Sequence, residues 1–335
     1  MNATTFRCFL VSQSADGRIA ASVTSAGNPD LSDGDVLIRV MVSSLNYKDA
    51  LAATGHQGVV RSLPHIPGID AAGVVVESRS ELWSAGDNVL VTGYGLGSDQ
   101  WGGWSERIRV PAAWVVRLPD NLSTLEAMTL GTAGFTAAQC ADSLQKHGIC
   151  QDAGEIVVTG ASGGVGSLAV AILAKLGYSV TAITGKPEAH GLLRDLGADA
   201  ILDRSAVVDE SAKPLLGARW AGAVDTVGGR TLATIIRSTQ HRACVAACGL
   251  VGGHDLPLTV YPFLLRGVTL DGIDSAACPM RSRLELWKKL AGDWKPDHLE
   301  QIRTTVGLAD LHDCVSRMLA GNLTGRIVVD VENGE

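Results

Sequence analysis

The run Gly160-Ala161-Ser162-Gly163-Gly164-Val165-Gly166 is the stretch of this chain whose residue types say most about chemistry. Glycines at this spacing let a backbone turn tightly, approach a pyrophosphate and pack a helix close to a sheet. A helix beginning there offers unpaired N–H groups and a partial positive charge to phosphate oxygens. The apolar run Ile156–Thr159 before it and the helical pattern Ser167–Gly177 after it supply the strand–turn–helix setting that a dinucleotide site needs. The next strand, Ser179–Thr184, ends in Gly185-Lys186, not in the Asp or Glu that binds the ribose 2′-hydroxyl of NAD. A carboxylate there would repel a 2′-phosphate. The Thr184 hydroxyl and the Lys186 ammonium would bind one, with Arg204 as a second cation. These residues predict NADP(H).

A second polar stretch, Ser43-Ser44-Leu45-Asn46-Tyr47-Lys48-Asp49, follows a strand. Asn46 and Asp49 are three apart, so a helical turn sets them on one side. Tyr47 offers a phenol able to donate a proton or a hydrogen bond. The same residues also read as a capped helix start with Tyr47 half buried, and their spacing favours neither reading. No metal is expected. A catalytic zinc needs about three Cys, His or carboxylate ligands, yet Cys8 is the sole cysteine before residue 140, and His56 and His65 lack paired spacing. There is no GxSxG elbow, and the cysteines have no evident His partner. Trp101-Gly102-Gly103-Trp104 reads as core or a domain-contact loop before it reads as a ligand stack.

These residues need elements to hold them. At 335 residues the chain exceeds the roughly 250–300 at which one core stops growing, so two domains are expected. Residues 1–125 are mostly β: runs such as Val36–Val42, Ala72–Glu77, Asn88–Thr92 and Ser105–Val110, punctuated by Gly, Pro and Asp, predict an antiparallel barrel or sandwich. Ser123 with Glu126 forms a capping box that opens a helix. From 126 to 266 strands at 155–159, 179–184, 199–203, 222–227 and 243–248, with another at 268–273, alternate with helical stretches such as Glu188–Leu196, which implies a parallel sheet. The tail carries helices at 281–291 and 308–320 and a last strand, Arg326–Val331, expected to return to the first domain.

Hydrophobic content of 46%, charged content of 19% and a net charge of −7 fit a soluble globular protein without a basic face for nucleic acid. No run approaches the roughly 18 apolar residues of a membrane span. Met1–Arg7 shows no secretory pattern. Seven scattered cysteines, with no CxxC pair, fit free thiols in a reducing cytoplasm.

The ordered set Asn46–Asp49, Pro67–Gly73, Gly131–Ala137 and Ala161–Gly166 resembles the medium-chain dehydrogenase/reductase superfamily along nearly the whole chain. Zinc members carry Cys where Asn46 stands and His where Ile69 stands, so the chain is similar to the zinc-independent, quinone-oxidoreductase-like branch. Ser43–Leu51, Trp101-Gly102-Gly103, Gly160–Ser167, Ala246–Leu250 and Gly272–Ser275 look like the acrylyl-CoA reductase group. That resemblance implies an α/β fold: a Rossmann doubly wound parallel sheet at 126–266, plus a GroES-like β-barrel-type substrate domain from 1–125 and 267–335. It implies NADPH-dependent reduction of acrylyl-CoA to propanoyl-CoA, with hydride delivered to the β-carbon. An NADPH:quinone or enone oxidoreductase is the alternative enzyme, and a non-catalytic dinucleotide-sensing protein the alternative class. Carried over by resemblance, Tyr47 stands near the nicotinamide and is the candidate catalytic donor. Ser162, Gly163, Gly164 and Val165 wrap the pyrophosphate. Thr184, Gly185 and Lys186, matching a Ser-Gly-Arg in relatives, meet the 2′-phosphate with Arg204. Leu250, Leu264 and Ser275 line the nicotinamide side, and Asn322 reaches the cofactor. The resemblance also implies a homodimer paired through the last Rossmann strand, assigned to 243–248.

Overall fold

A computed structural model describes residues 5–27 and 31–332; residues 1–4, on which the leader reading partly rests, lie outside the described residues. The chain opens with strands β1 (Thr5–Gln13), β2 (Ile19–Gly27) and β3 (Val36–Leu45), then the short helix α1 (Tyr47–Ala53), then β4 (Asp70–Ser78), β5 (Asn88–Thr92), β6 (Arg107–Val110) and β7 (Val116–Arg117). An α/β run follows: α2 (Thr124–Lys146), β8 (Ile156–Val158), α3 (Gly164–Lys175), β9 (Val180–Ile183), α4 (His190–Asp195), β10 (Ala200–Leu202), β11 (Trp220–Asp225), α5 (Gly229–Arg237), β12 (Thr239–Ala247), α6 (Tyr261–Arg266) and β13 (Thr269–Gly272). The tail adds α7 (Met280–Leu290), α8 (Leu299–Ile302), β14 (Arg303–Val306), α9 (Leu311–Leu319) and β15 (Arg326–Asp330). The chain divides into two compact units, one of residues up to Thr132, Ala276–Ala291 and those from Arg303 onward, the other of Ala133–Ser275 and Gly292–Ile302.

In the first unit β1 and β2 pair with each other, and seven strands form a sheet in the order β14-β15-β3-β4-β5-β7, with β6 also on β3. One edge of β3 serves two strands: Val36–Arg39 pair with β6 and Val42–Leu45 with β15. The last strand thus joins a strand from the chain's beginning, as the sequence predicts. Residues Val36, Ile38 and Val40, on one face of β3, bury into a core with Val75, Val89, Val91, Trp104 and Ile108. Trp104 is fully buried and its ring N–H donates to the Ser44 carbonyl at 2.9 Å, so its polar atom is satisfied. Trp104 is therefore core. The ring N–H of Trp101 donates to the Pro64 carbonyl.

The second unit holds a six-stranded parallel sheet in the order β10-β9-β8-β11-β12-β13. This is a doubly wound order, whose direction reverses between β8 and β11; ligands bind outside the carboxyl ends of strands at such a switch point. Val157, Ile183, Ala223 and Val245 from four strands meet Leu232, Ile235 and Ile236 of α5 in one apolar cluster.

Three expectations change. The division falls at Thr132/Ala133 and Ser275/Ala276 instead of 125/126 and 266/267, and Gly292–Ile302 joins the second unit. The reason at 267–275 is pairing: Thr269–Gly272 continue the parallel sheet beside Cys244–Ala247. The strand assigned to 243–248 is not the sheet's edge, because β12 is flanked by β11 and β13; β13 is last. The helix opened by the Ser123–Glu126 capping box (Glu126 N–H to Ser123 Oγ 3.2 Å, Ser123 N–H to Glu126 Oε2 2.9 Å) is broken at Gly131, whose φ of 49° and ψ of −153° are not helical.

Candidate active site

The glycine-rich turn of the second unit is built by close approach. A Cβ on Gly166 would lie 2.2 Å from the Gly160 carbonyl oxygen, so only glycine lets the start of α3 sit against the end of β8. Gly160 itself has φ of 58°, and a Cβ there would lie 2.3 Å from Thr226 Oγ1. Gly163 caps α3 in an extended conformation, and Gly164 and Val165 form its first turn, where N–H groups have no intrahelical acceptor.

The end of β9 adjoins this turn. Thr184 Oγ1 donates to Ser162 Oγ at 2.9 Å and accepts the Lys186 N–H at 3.1 Å. Partial burial pulls the Lys186 ammonium pKa down against the pull of Glu188. The Arg204 guanidinium lies over Gly185: a Cβ there would be 2.4 Å from Arg204 Nε. Ser162, Thr184, Gly185, Lys186 and Arg204 therefore form one polar corner. β11, by contrast, ends in a carboxylate, Asp225. Asp225 is buried and accepts from Thr159 Oγ1 at 2.7 Å and from the Gly228 N–H at 2.6 Å. Burial raises its pKa, and its bonds show that it shapes the 225–228 turn. Gly228 packs against Leu250, whose Cα would be 3.1 Å from a Cβ there. Leu250 is exposed, as is Leu264 on α6 at 75%, while Ser275 is half-buried.

Tyr47 and Asn322 belong to the first unit. Tyr47 opens α1 and is 45% exposed. Asn322 follows α9, exposed, with its N–H on the Arg317 carbonyl at 2.8 Å. Both readings of the Asn46–Asp49 stretch meet here. Asn46 and Asp49 do form a capping box, and they also belong to a buried charged network that sequence reasoning missed. Asp70, fully buried, accepts from Ser44 Oγ at 2.6 Å, Asn46 Nδ2 at 2.8 Å, Thr132 Oγ1 at 2.6 Å and the Thr132 N–H at 2.9 Å. Arg326 donates through Nη1 to Asn46 Oδ1 at 3.0 Å and through Nε to the Thr129 carbonyl at 3.0 Å, with Nη2 3.9 Å from Asp70. Gly131 makes room for this: a Cβ there would be 2.5 Å from Asp70 Oδ2. The break in α2 turns the Thr132 N–H onto the Asp70 carboxylate, an anion at the start of the continuing helix. Asp49 accepts four N–H bonds, from Asn46 N, Asn46 Nδ2, Gly68 N and Ile69 N. Burial, then the Asp70 charge, push its pKa up to about 7 against those donors. The network fixes Asn46, and with it the helix start that presents Tyr47.

These features define a class: a β-rich unit joined to a dinucleotide-type α/β unit, with a cationic corner after the second strand and a tyrosine beside a locked polar network. Family models agree. An alcohol dehydrogenase GroES-like domain matches residues 32–120 and a zinc-binding dehydrogenase model matches 164–291. The acrylyl-CoA reductase AcuI of Ruegeria pomeroyi is 46% identical over 94% of this chain and 96% of its own, and the probable acrylyl-CoA reductase AcuI of Escherichia coli K12 is 44% identical over 96% and 99%. The putative quinone oxidoreductase YhfP of Bacillus subtilis is 44% identical over 97% and 99%. The solved yhdH oxidoreductase of Salmonella enterica in complex with NADP superposes with a TM-score of 0.94 at 45% identity, covering 97% of this chain and 100% of that one. The Bacillus subtilis yhfP structure with NAD bound gives 0.94 at 44%, covering 98% and 100%. The chain belongs to the medium-chain dehydrogenase/reductase superfamily, in its quinone-oxidoreductase-like, acrylyl-CoA reductase group.

The zinc named by one family model does not fit this donor set. Asn46 spends its amide on Arg326, Asp49 and Asp70, so the cation of this network is already a guanidinium. Among the described residues no three His, Cys, Asp or Glu side chains gather as a metal would require. A dinucleotide does fit the other unit: the turn at 160–166 is held open by absent side chains, and the corner after β9 carries cations.

Proposed function

We propose that this chain reduces the carbon–carbon double bond of acrylyl-CoA to give propanoyl-CoA, using NADPH. The near full-length identity of 46% to an acrylyl-CoA reductase is the observation that carries the substrate. The cofactor reading rests on Lys186 and Arg204 at a β9 end without a carboxylate. When bound, NADPH supplies a hydride for the β-carbon.

The chain's own residues have three tasks. Ser162 and the N–H groups of Gly163, Gly164 and Val165 hold the pyrophosphate, while Thr184, Gly185, Lys186 and Arg204 hold the 2′-phosphate. Leu250, Leu264 and Ser275 form the nicotinamide side, with Asn322 as a further cofactor contact. Tyr47 donates a hydrogen bond to the thioester oxygen, stabilising the enolate that forms as the β-carbon is reduced. The α-carbon takes its proton from Tyr47 or water. Arg326, Asp70 and Asn46 act as positioning residues by fixing the backbone that carries Tyr47.

We also propose a cytoplasmic homodimer. Free cysteines and the absence, among described residues, of any helix long and apolar enough to cross a membrane support the first part. The open edge of β13 is the backbone available for pairing.

The test compares NADPH oxidation with acrylyl-CoA, crotonyl-CoA and a free quinone. The highest kcat/KM is expected with acrylyl-CoA. A quinone preference would favour the reading carried by the Bacillus relative's name, and binding without turnover would favour a sensor.

A further inference from the structure

Arg204, the cation assigned to the 2′-phosphate, stands on an irregular connection. Between β10 and β11, residues 203–219 form one 3-10 turn, Arg204–Val207, and otherwise no helix or strand. Such a stretch keeps many conformations open unless something ties it down. Upstream the tie is the sheet, where the Thr184 N–H at the end of β9 donates to the Leu202 carbonyl at 3.1 Å. Downstream the tie is α5. Val207 is buried in a cluster with Leu232, Ile235 and Ile236, and Thr234 Oγ1 accepts the Asp209 N–H at 3.1 Å. Arg237, in the last turn of α5, is only 8% exposed. Its guanidinium donates to the carbonyls of Asp209 at 2.8 Å, Ser211 at 3.0 Å and Lys213 at 2.9 Å, and lies 3.0 Å from Asp209 Oδ1.

An arginine in the last turn of a helix ordinarily serves that helix's own free carbonyls. Here Arg266 of α6 does so. It donates to the carbonyls of Arg237 and Thr239 at 3.0 and 2.9 Å, and to that of Leu216 at 2.5 Å. Arg237 is turned to the connection instead. A buried charge must be paired and hydrogen-bonded, and among the described residues the acceptors of this one all come from Asp209, Ser211 and Lys213. The 209–213 segment therefore cannot lift away without stranding a guanidinium. The planar fork reaches three alternate carbonyls at once, which a lysine ammonium, a single point of donors, cannot span.

We infer that Arg237 is a positioning residue for the choice of nucleotide: by clamping 209–213 it holds Arg204 over Gly185, where the 2′-phosphate is to be met. The inference rests on the role proposed above for Arg204. Arg237 acts through the connection, not by contact, because it lies at the far end of α5, roughly 12 Å along the axis from Gly229 beside the 225–228 turn. Loosening the clamp frees the residues that follow Arg204 and lets its guanidinium leave the corner. NADPH then loses a charged partner. NADH, which has no 2′-phosphate, loses nothing.

The experiment titrates the full chain with NADPH and with NADH, as wild type, Arg237→Lys, Thr234→Val, Arg204→Ala and the Arg204→Ala/Arg237→Lys double variant. Arg237→Lys should raise the NADPH Kd about fivefold and leave the NADH Kd within about twofold, a size ordinary for residues that touch neither ligand. Thr234→Val, which removes only the bond to the Asp209 N–H, should move the NADPH Kd the same way by less. In the Arg204→Ala background Arg237→Lys should have no further effect on NADPH, because changes that act through one contact do not add. In the cofactor-free protein, amide hydrogen exchange at 204–209 should be faster in Arg237→Lys than in wild type, with the 160–166 turn unchanged. An equal loss for both nucleotides, an NADPH loss that persists undiminished without Arg204, or unchanged exchange at 204–209 overturns the inference. Failure of the cofactor reading looks different: wild type would bind NADH as tightly as NADPH and Arg204→Ala would change neither. That result takes the specificity role with it, while the exchange rates still report the clamp.

Discussion

In the proposed cofactor site, Lys186 and Arg204 set the choice of nucleotide by charge. Arg204 reaches over Gly185 only because position 185 has no side chain. Replacing either cation by Ala should raise the KM for NADPH roughly tenfold or more, as a charged hydrogen bond contributes about 1.5–3 kcal/mol, while leaving the KM for NADH nearly unchanged. Equal changes for both nucleotides would remove the 2′-phosphate role. Tyr47 has a different assignment. Tyr47→Phe should lower kcat for acrylyl-CoA by roughly a hundredfold, within the range for a positioned proton donor, with little change in the NADPH Kd; an unchanged kcat would end the donor role. Asp49 makes a third, pH-dependent contribution. Its folded pKa of about 7 lies above the ordinary 3.8, so the folded state holds the proton more tightly. That stabilisation is full below about pH 4 and is lost as pH rises through 7. Urea unfolding between pH 5 and 7 should therefore show wild-type stability falling more steeply with rising pH than in Asp49→Asn, by up to about 1.4 kcal/mol per pH unit. Parallel pH profiles would contradict the assignment.

At the scale of elements, the interruption of α2 connects the buried charges to the fold. Gly131 combines φ of 49° with a Cβ position 2.5 Å from Asp70 Oδ2. Gly131→Ala strains the backbone by about 1–3 kcal/mol and also displaces the carboxylate, so its thermal midpoint should drop by several degrees and Arg326 should lose its setting. A midpoint unchanged within error would mean that the break is not required. The same element separates what local sequence can reveal from what it cannot. The glycines at 160–166, the strands on either side and the Ser123–Glu126 cap declare themselves through neighbours a few residues away. Asp70, Thr132 and Arg326 do not, because the partners of Asp70 and Arg326 lie 62 and 280 residues away. A weak signal was present: Asp70 and Arg326 are charged residues at the heads of apolar strands, where an ion must find a partner or be excluded. The second break between units, expected at 266/267, moves to 275/276 for a related reason, since only the parallel pairing of β13 with β12 assigns residues 269–272 to the second unit.

At the scale of the molecule, one unit carries a nucleotide-type sheet and the other a β-rich scaffold whose last strand closes onto its third. Each unit's architecture was legible from periodicity, because strands of alternating or continuous apolar residues declare one-sided or two-sided burial. The substrate was legible only through resemblance: no arrangement of Lys or Arg in the sequence marks a coenzyme A groove. The reaction therefore turns on one chemical event, the delivery of hydride from NADPH to the β-carbon of acrylyl-CoA. The direct measurement supplies NADPH deuterated at the transferred position of its nicotinamide C4, in ordinary water, and locates the label in the product by mass spectrometry and NMR. The expected product is propanoyl-CoA with one deuterium at C3 and none at C2. Deuterium at C2, or no propanoyl-CoA formed while NADPH is oxidised, would contradict it.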